Sequence, residues 1–167
     1  MKIPAEKIET AAPKNDARYY LHGAYLNVET SELVVTDGHI LVKHTVEIDD
    51  DDISGIIPLE AFAYARQTKS ERITTFDSSL SAPYAYVNGA SFPLIDGTYP
   101  DYNTVMPEAG EVTICLDLTL LDKIRKALFE RTGPTSRCVV SLQITDKHSS
   151  VRVESDDNVA VIMPCRM

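Results

Sequence analysis

Apolar and polar residues alternate in three short runs between residues 17 and 47, and turn-forming residues separate the runs. Alternation with a period of two is typical of strands that bury one face of a sheet. Thr30-Ser31-Glu32 and Asp37-Gly38 supply the two chain reversals. The pattern therefore predicts a meander without a helix, with strands over Arg18–Glu29, Leu33–Thr36 and His39–Val46.

An acidic run follows this meander, consisting of Glu47 and the four aspartates at positions 49–52. Carboxylates are seldom buried and are unfavourable in strands. We therefore expect an exposed connector here.

Beyond the connector, one pattern of a strand, a helix and three strands occurs in residues 54–104. Pro58 is well placed to open the helix, because the first N–H of a helix has no partner within it. Asn88-Gly89 is a strong hairpin signal. The predicted elements are a strand over Ser54–Ile57, a helix over Pro58–Thr68, and strands over Arg72–Asp77, Ser81–Val87 and Phe92–Ile95.

The same pattern recurs in residues 111–167. Asp117 is placed to cap a helix whose apolar stripe comprises Leu118, Leu121, Ile124 and Leu128. The predicted strands span Glu111–Leu116, Arg137–Thr145, His148–Glu154 and Val159–Cys165. The first segment then corresponds to a third copy without its strand and helix.

Composition restricts the classes of protein to which this chain can belong. A net charge of −9 argues against a generally basic DNA-coating protein. Without an apolar run of roughly 20 residues or a signal core, we expect a soluble cytoplasmic protein. Cys115, Cys138 and Cys165 are spaced for neither a disulfide framework nor a zinc site, and we expect reduced, mostly buried thiols.

Catalytic and cofactor sites find little support. His22, His39, His44 and His148 lack local metal-binding spacing. Asp37, His39 and Ser150 could be read as a triad, but no nucleophile elbow accompanies them. The glycines are scattered singly, so no phosphate loop is present. We expect no enzyme activity, no metal and no cofactor.

Four segments remain, and they carry the functional information. They are Arg18-Tyr19-Tyr20-Leu21-His22-Gly23, Val35-Thr36-Asp37-Gly38-His39, Ser91-Phe92-Pro93-Leu94-Ile95-Asp96-Gly97-Thr98-Tyr99-Pro100-Asp101-Tyr102 and Val161-Ile162-Met163-Pro164-Cys165-Arg166-Met167. In this order they resemble the bacterial DNA sliding clamp, the β subunit of DNA polymerase III.

The resemblance implies an α+β DNA clamp fold, in which two helices pack side by side under outer antiparallel sheets. Residues 1–107 look like the clamp's middle domain without its first strand and helix. Residues 108–167 look like the second half of its last domain, and we expect both segments to form one compact unit.

The resemblance also implies a non-catalytic processivity factor that binds short peptides of DNA polymerase and repair proteins. The implied groove consists of Leu21, Thr36, Gly38, His39, Ile40, Leu41, Pro100, Thr104, Val105, Ser150, Val161, Ile162, Met163, Pro164, Cys165, Arg166 and Met167. Clamps typically carry a basic residue where this chain has Ile40, and often another at Thr104. We therefore expect a preference for less acidic peptides.

Clamps line their DNA channel with helices, and basic residues cluster near both predicted helices. The candidates for nonspecific contact with double-stranded DNA are Arg66, Lys69, Arg72, Lys123, Arg125, Lys126 and Arg131. Acidic residues are interspersed among them, so a solvated helix face is the alternative. Self-association into a ring would need several copies joined through strand edges.

Two other functions stay open. A phage- or plasmid-type competitive regulator would occupy clamp-binding peptides without encircling DNA. A relic would keep the fold and bind nothing. Peptide binding and ring assembly distinguish these alternatives from a working clamp.

Overall fold

The computed structural model describes residues 1–77, 82–108, 110, 112–129, 138–155 and 158–165. The chain divides into two compact units, Met1–Met106 and Pro107–Met167. The predicted boundary between residues 107 and 108 lies one residue from this division, whereas a single compact unit stays a prediction. No helix in the described ranges is long and apolar enough to cross a membrane.

The first unit opens with a four-stranded antiparallel sheet of order β3-β2-β1-β4. Its strands are β1 Gly23–Asn27, β2 Glu32–Thr36, β3 Leu41–Thr45 and β4 Gly55–Pro58. The predicted meander is confirmed, but its first strand is shorter than expected.

The start of that predicted strand is a 3-10 turn instead, over Tyr19–Leu21. The Leu21 N–H donates to the Arg18 carbonyl at 2.9 Å, and the turn buries the Leu21 side chain. A second 3-10 turn spans Ile8–Ala11. The prediction that residues 17–47 contain no helix is therefore wrong for Tyr19–Leu21, whereas Ile8–Ala11 precedes that range.

A helix and a second sheet follow β4. Helix α1 spans Leu59–Thr68, and the sheet has order β5-β6-β7 with strands Thr74–Phe76, Tyr84–Val87 and Ala90–Pro93. Asn88 and Gly89 turn between β6 and β7 with φ of 42° and 90°, which confirms the predicted hairpin. The predicted strand start at Ser81 lies outside the described residues.

The first sheet of this unit carries a buried hydrophobic cluster on each face. Leu26, Leu33 and Val35 pack on one face together with Phe62 of α1. The opposite face carries a smaller cluster of Leu21, Val34, Ile56, Tyr99 and Tyr102. Fully burying an aliphatic side chain stabilises the fold by about 1.5–3 kcal/mol. The smaller cluster lies under the candidate site, and two of its residues, Leu21 and Tyr102, line that site.

The acidic run is not uniformly exposed, so the expectation of an exposed connector is wrong for Asp52. The Asp52 side chain is fully buried, and its carboxylate pairs with the α-ammonium of Met1. The same ammonium lies 3.1 Å from Asp49 and donates to the Ile73 carbonyl at 2.8 Å. A buried carboxylate is tolerated here because an opposite charge is buried beside it.

The second unit contains helix α2, Leu118–Leu128, and an antiparallel sheet of order β10-β9-β8. Its strands are β8 Ser141–Gln143, β9 Val151–Ser155 and β10 Asn158–Ile162. The Asp117 cap is confirmed, because its carboxylate accepts from the Thr119 N–H at 2.7 Å.

The strand predicted over Glu111–Leu116 is wrong for the described residues 112–116, which form no strand. Glu111 itself lies outside the described residues. One backbone hydrogen bond, from Cys165 N to Cys115 O at 2.8 Å, links this segment to the chain end. A strand needs a continuous ladder of such bonds, and a single bond does not provide one.

The core of the second unit contains Val151, Val153 and Ile162, against which the apolar stripe of α2 packs. Leu120 replaces Leu118 in that stripe, and Leu118 is 76% exposed in the first helical turn. The expectation of mostly buried thiols is also wrong, because Cys165 is exposed and Cys115 and Cys138 are half-buried.

Candidate functional site

A cavity of about 510 Å³ lies on the face of the first unit that carries the smaller core cluster. It is bounded by the 3-10 turn before β1, the turn between β2 and β3, and the segment after β7. Its lining comprises Arg18, Leu21, Thr36, Gly38, His39, Ile40, Leu41, Pro100, Asp101, Tyr102, Thr104 and Val105. The nine groove residues predicted within this unit therefore all line one cavity.

A tightly hydrogen-bonded turn forms one wall of the cavity. The Asp37 carboxylate accepts from the backbone N–H groups of His39 at 2.8 Å and Ile40 at 2.9 Å. The Thr36 hydroxyl donates to the Ile40 carbonyl at 2.6 Å and accepts from Gly38 N at 3.0 Å. These amide donors hold the pKa of Asp37 below its usual value. The turn is thus fixed by its own side chains.

Arg18 lies against the glycine of this turn. Its guanidinium donates to both carboxylate oxygens of Asp16, at 2.9 and 2.7 Å, and to the Asp37 carbonyl at 3.2 Å. A Cβ on Gly38 would lie 2.8 Å from Arg18 Nη2, and Gly38 has a φ of 87°. The backbone conformation therefore favours glycine at this position, and a Cβ would in addition displace the guanidinium.

Tyr99 anchors the segment after β7 to the sheet. Its ring stacks on Tyr25 at 5.2 Å, and its hydroxyl oxygen accepts from the Thr36 N–H at 3.1 Å. Burial raises the pKa of Tyr99 to about 12. The phenol thus joins the two walls of the cavity and stays neutral at ordinary pH.

Tyr102 adds a second anchor in the 3-10 turn Tyr102–Val105. Its hydroxyl donates to Glu32 at 2.8 Å and accepts from the Asn27 amide at 3.1 Å. The Asp101 carboxylate begins the turn by accepting from Asn103 N at 3.0 Å. This wall is held in place by the Asp101 carboxylate within its turn and by the contacts of Tyr102 with Glu32 and Asn27 of the sheet.

The cavity is apolar with nearly balanced charge. Ile40 is 54% exposed and Val105 is 66% exposed, whereas Leu21 is buried at its base. The lining contains one cation, Arg18, which is already paired with Asp16, and one carboxylate, Asp101. Such a surface can desolvate the apolar side chains of a short peptide without attracting a strongly charged one.

Sequence reasoning missed three of the lining residues, Arg18, Asp101 and Tyr102. All three lie inside the segments that carried the clamp resemblance. Their neighbours Leu21 and Pro100 were predicted, so adjacency along the chain was the available signal.

The other predicted groove residues belong to the second unit. Val161 and Met163 are 60% and 61% exposed, whereas Ile162 is 2% exposed and belongs to that unit's core. Ile162 is therefore unavailable to a peptide, because β10 alternates its side chains between the core and the surface. Ser150 and Cys165 are exposed and Pro164 is half-buried, while Arg166 and Met167 lie outside the described residues.

Ion pairs involve most of the basic residues that were predicted to face DNA. Arg66 pairs with Glu9, and Arg72 pairs with Asp49. Arg125 and Lys126 share one carboxylate, Asp122. Within the described ranges Lys69 and Lys123 form no ion pair, and Arg131 lies outside those ranges. The local positive field is weaker than the number of basic residues indicates.

The described residues include no group of three or more histidine, cysteine, aspartate or glutamate side chains that could hold a metal ion. The Asp37 carboxylate, considered above as a triad member, instead accepts the backbone amides of its own turn.

No protein-family model matches the sequence. The "Beta sliding clamp" of Buchnera aphidicola is 30% identical over 131 residues, which are 74% of this chain and 36% of that protein. The Pseudomonas aeruginosa "Beta sliding clamp" is 25% identical over 94% of this chain and 42% of its own length. The chain thus spans less than half the length of these relatives.

Solved structures agree at the level of the fold. A Caulobacter crescentus beta sliding clamp matches 95% of this chain and 46% of its own, with 24% identity and a TM-score of 0.67. The DNA polymerase III beta chain of Streptococcus pneumoniae matches 96% and 46%, with 24% identity and a TM-score of 0.68. The predicted α+β clamp fold is confirmed. Sequence and structure together show that this chain is a shortened, clamp-like protein, similar to part of a bacterial DNA sliding-clamp subunit.

Proposed function

We propose that this protein is a non-catalytic, clamp-like replication accessory protein that captures short peptides of DNA polymerase and repair proteins in the cavity of its first unit. The observation that carries the proposal is the convergence of nine residues, named from the clamp resemblance alone, on one cavity. The C. crescentus clamp supports it further, because polyethylene glycol occupies the region proposed to tether the beta motif in that protein.

The energetics of the cavity fit a peptide with a few apolar anchors. Leu21 and Leu41 form the base, and the exposed side chains of Ile40 and Val105 stand at the mouth. Each leucine or phenylalanine side chain that becomes buried contributes about 1.5–3 kcal/mol before the ordering cost. Several anchors give micromolar affinity, about −8 kcal/mol.

The charge balance of the cavity sets the expected specificity. Ile40 and Thr104 are uncharged where clamps typically carry basic residues, and Arg18 is paired with Asp16. An acidic peptide would therefore lose water from its carboxylates without gaining a free cation. We expect peptides of low negative charge to be preferred.

The mechanism we propose is tethering. A partner held by its peptide stays at a high effective concentration near the template if this protein is itself held there. Contact with DNA through Lys69, Lys123 and their paired basic neighbours, and assembly with further copies, are parts of this proposal. Capture of peptides without DNA would instead produce the competitive regulator.

Fluorescence anisotropy with a labelled peptide carrying leucine and phenylalanine anchors tests the proposal. Val105 and Val112 are matched, since they are 66% and 64% exposed but only Val105 lines the cavity. Val105→Asp should weaken binding at least tenfold, about 1.4 kcal/mol, and Val112→Asp should leave it unchanged. Equal effects would place the peptide elsewhere, and the absence of saturable binding would refute the proposal.

Ile40→Arg tests the specificity in the same assay. The variant adds a cation at the mouth of the cavity, where Ile40 is 54% exposed. It should increase the affinity for an acidic version of the peptide relative to a neutral version. An unchanged ratio of the two affinities would contradict the role of charge.

A further inference from the structure

Two cysteines of the second unit are brought together across the fold. Cys115 lies in the segment before α2, and Cys165 lies three residues after the end of β10. The Cys165 N–H donates to the Cys115 carbonyl at 2.8 Å. Both thiols are free, with Cys115 half-buried and Cys165 exposed.

This hydrogen bond limits the distance between the two Cα atoms. The carbonyl oxygen is about 2.4 Å from its own Cα, and the amide nitrogen is about 1.5 Å from its Cα. Adding the 2.8 Å hydrogen bond gives a maximum Cα–Cα separation of about 6.7 Å for a fully linear arrangement. Disulfides span about 4.4–6.8 Å between Cα atoms, so even this maximum is compatible with a bond.

The internal repeat of the chain indicates how the two side chains are directed. Ile56 lies two residues before Pro58, the cap of α1, as Cys115 lies two residues before Asp117, the cap of α2. In the first unit the Ile95 N–H donates to the Ile56 carbonyl at 2.9 Å, and this pair is an antiparallel bridge.

Opposed residues of an antiparallel bridge direct their side chains to the same face. Ile56 and Ile95 accordingly pack in one hydrophobic cluster. Cys115 has the same position before its helix cap as Ile56, and the Cys165 N–H makes the same hydrogen bond to it as the Ile95 N–H makes to Ile56. Their sulfur atoms are therefore expected on one face as well, and within reach of each other.

We propose that Cys115 and Cys165 are an oxidation site that forms an intramolecular disulfide. Hydrogen peroxide is a sufficient oxidant. The exposed Cys165 thiolate attacks one peroxide oxygen, the O–O bond breaks, and hydroxide leaves as water after protonation, which produces a sulfenic acid. The Cys115 thiolate then attacks that sulfur and displaces a second water. Two thiols and one peroxide thus become one disulfide and two waters.

The bond would restrain the chain that follows β10. Met163 and Pro164, two of the predicted groove residues, directly precede Cys165. If captured peptides also contact these groove residues of the second unit, which extends the proposed function, oxidation should change peptide affinity. Formation of the disulfide does not depend on that function, and the two are measured separately.

Peptide mapping tests the bond directly. Trypsin places the three cysteines in different fragments, residues 73–123 for Cys115, 138–147 for Cys138 and 153–166 for Cys165. After peroxide treatment and alkylation, we expect the first and third fragments to be joined and to separate on reduction. Cys138 should remain alkylated as an unpaired thiol.

Three serine variants complete the test. Cys138→Ser should retain the cross-link, whereas Cys115→Ser and Cys165→Ser should each abolish it, with circular dichroism showing that all three fold. Alkylation of all three cysteines after oxidation, or a cross-link through Cys138 or between two molecules, would overturn the proposal. A confirmed cross-link with unchanged peptide affinity would leave the site standing and refute only its effect on binding.

Discussion

The charge pair buried between Met1 and Asp52 should be among the most sensitive points of the first unit. Both side chains are fully buried. Besides the Met1 ammonium, the Asp52 carboxylate accepts from Thr75 N and Asp49 N, each at 2.9 Å. Asp52→Asn keeps the shape of the side chain but removes the charge and directs an amide donor toward groups that are donors themselves.

The contacts of Asp52 determine how much stability Asp52→Asn is expected to lose. Breaking a buried ion pair by removing one partner costs about 3–5 kcal/mol, because the other charge is left without compensation. The Met1 ammonium keeps a second carboxylate, Asp49, at 3.1 Å, although that side chain is 40% exposed. The lower end of the range, about 3 kcal/mol, is therefore expected. Most small proteins are stable by only about 5–15 kcal/mol.

Tyrosine fluorescence during urea unfolding provides an assay that is specific to this unit. All eight tyrosines lie within residues 1–106, and the chain has no tryptophan. A loss of about 3 kcal/mol should lower the midpoint by about 1–3 M urea, because m is about 1–3 kcal/mol/M for small proteins. Asp50→Asn and Asp51→Asn are matched controls in the same acidic run, because both residues are exposed. If Asp52→Asn shifted the midpoint no more than these controls, the stabilising role of the buried pair would be refuted.

Two further predictions concern the walls of the cavity. The pKa of Tyr99 is raised to about 12, so the contribution of its neutral phenol to stability is complete below pH 10 and is lost as the pH rises from 10 to 12. The free energy of unfolding measured across this range should fall by about 2 kcal/mol in the wild type. Tyr99→Phe, though less stable at pH 7, should show a smaller decline. Gly38→Ala and Gly89→Ala both place a Cβ at positive φ, but only the Cβ at position 38 meets another group, Arg18 Nη2 at 2.8 Å. Urea unfolding should therefore show that Gly89→Ala loses about 1–2 kcal/mol of unfolding free energy and that Gly38→Ala loses more. Anisotropy should show weaker peptide binding for Gly38→Ala alone, and equal effects of the two variants would rule out the Arg18 contact.

Much of the fold could be predicted from local sequence signals. The Asn88-Gly89 turn and the Asp117 cap are confirmed because each is determined by a few adjacent residues. The ends of the strands could not be predicted, since a strand ends where its partner does. Residues 112–116 have strand character but no ladder in the described part of the chain, and Tyr19–Leu21 forms a 3-10 turn that buries one leucine.

The candidate site, like the fold, could be predicted from the sequence where contacts between nearby residues determine it. The turn from Thr36 to Ile40 is held by hydrogen bonds within five residues, and its four predicted groove residues line the cavity.

Charge pairs elsewhere in the first unit were harder to predict because their partners are distant in sequence. Arg66 meets Glu9 and Asp52 meets Met1 across 57 and 51 residues, respectively. A count of basic residues therefore overestimated the charge available for DNA, and an acidic run was expected to be wholly exposed although one member is buried. For this chain, the apolar lining of the cavity is the stronger basis for a functional proposal, because burial and exposure there follow from packing, whereas free charge depends on pairings that the sequence does not reveal.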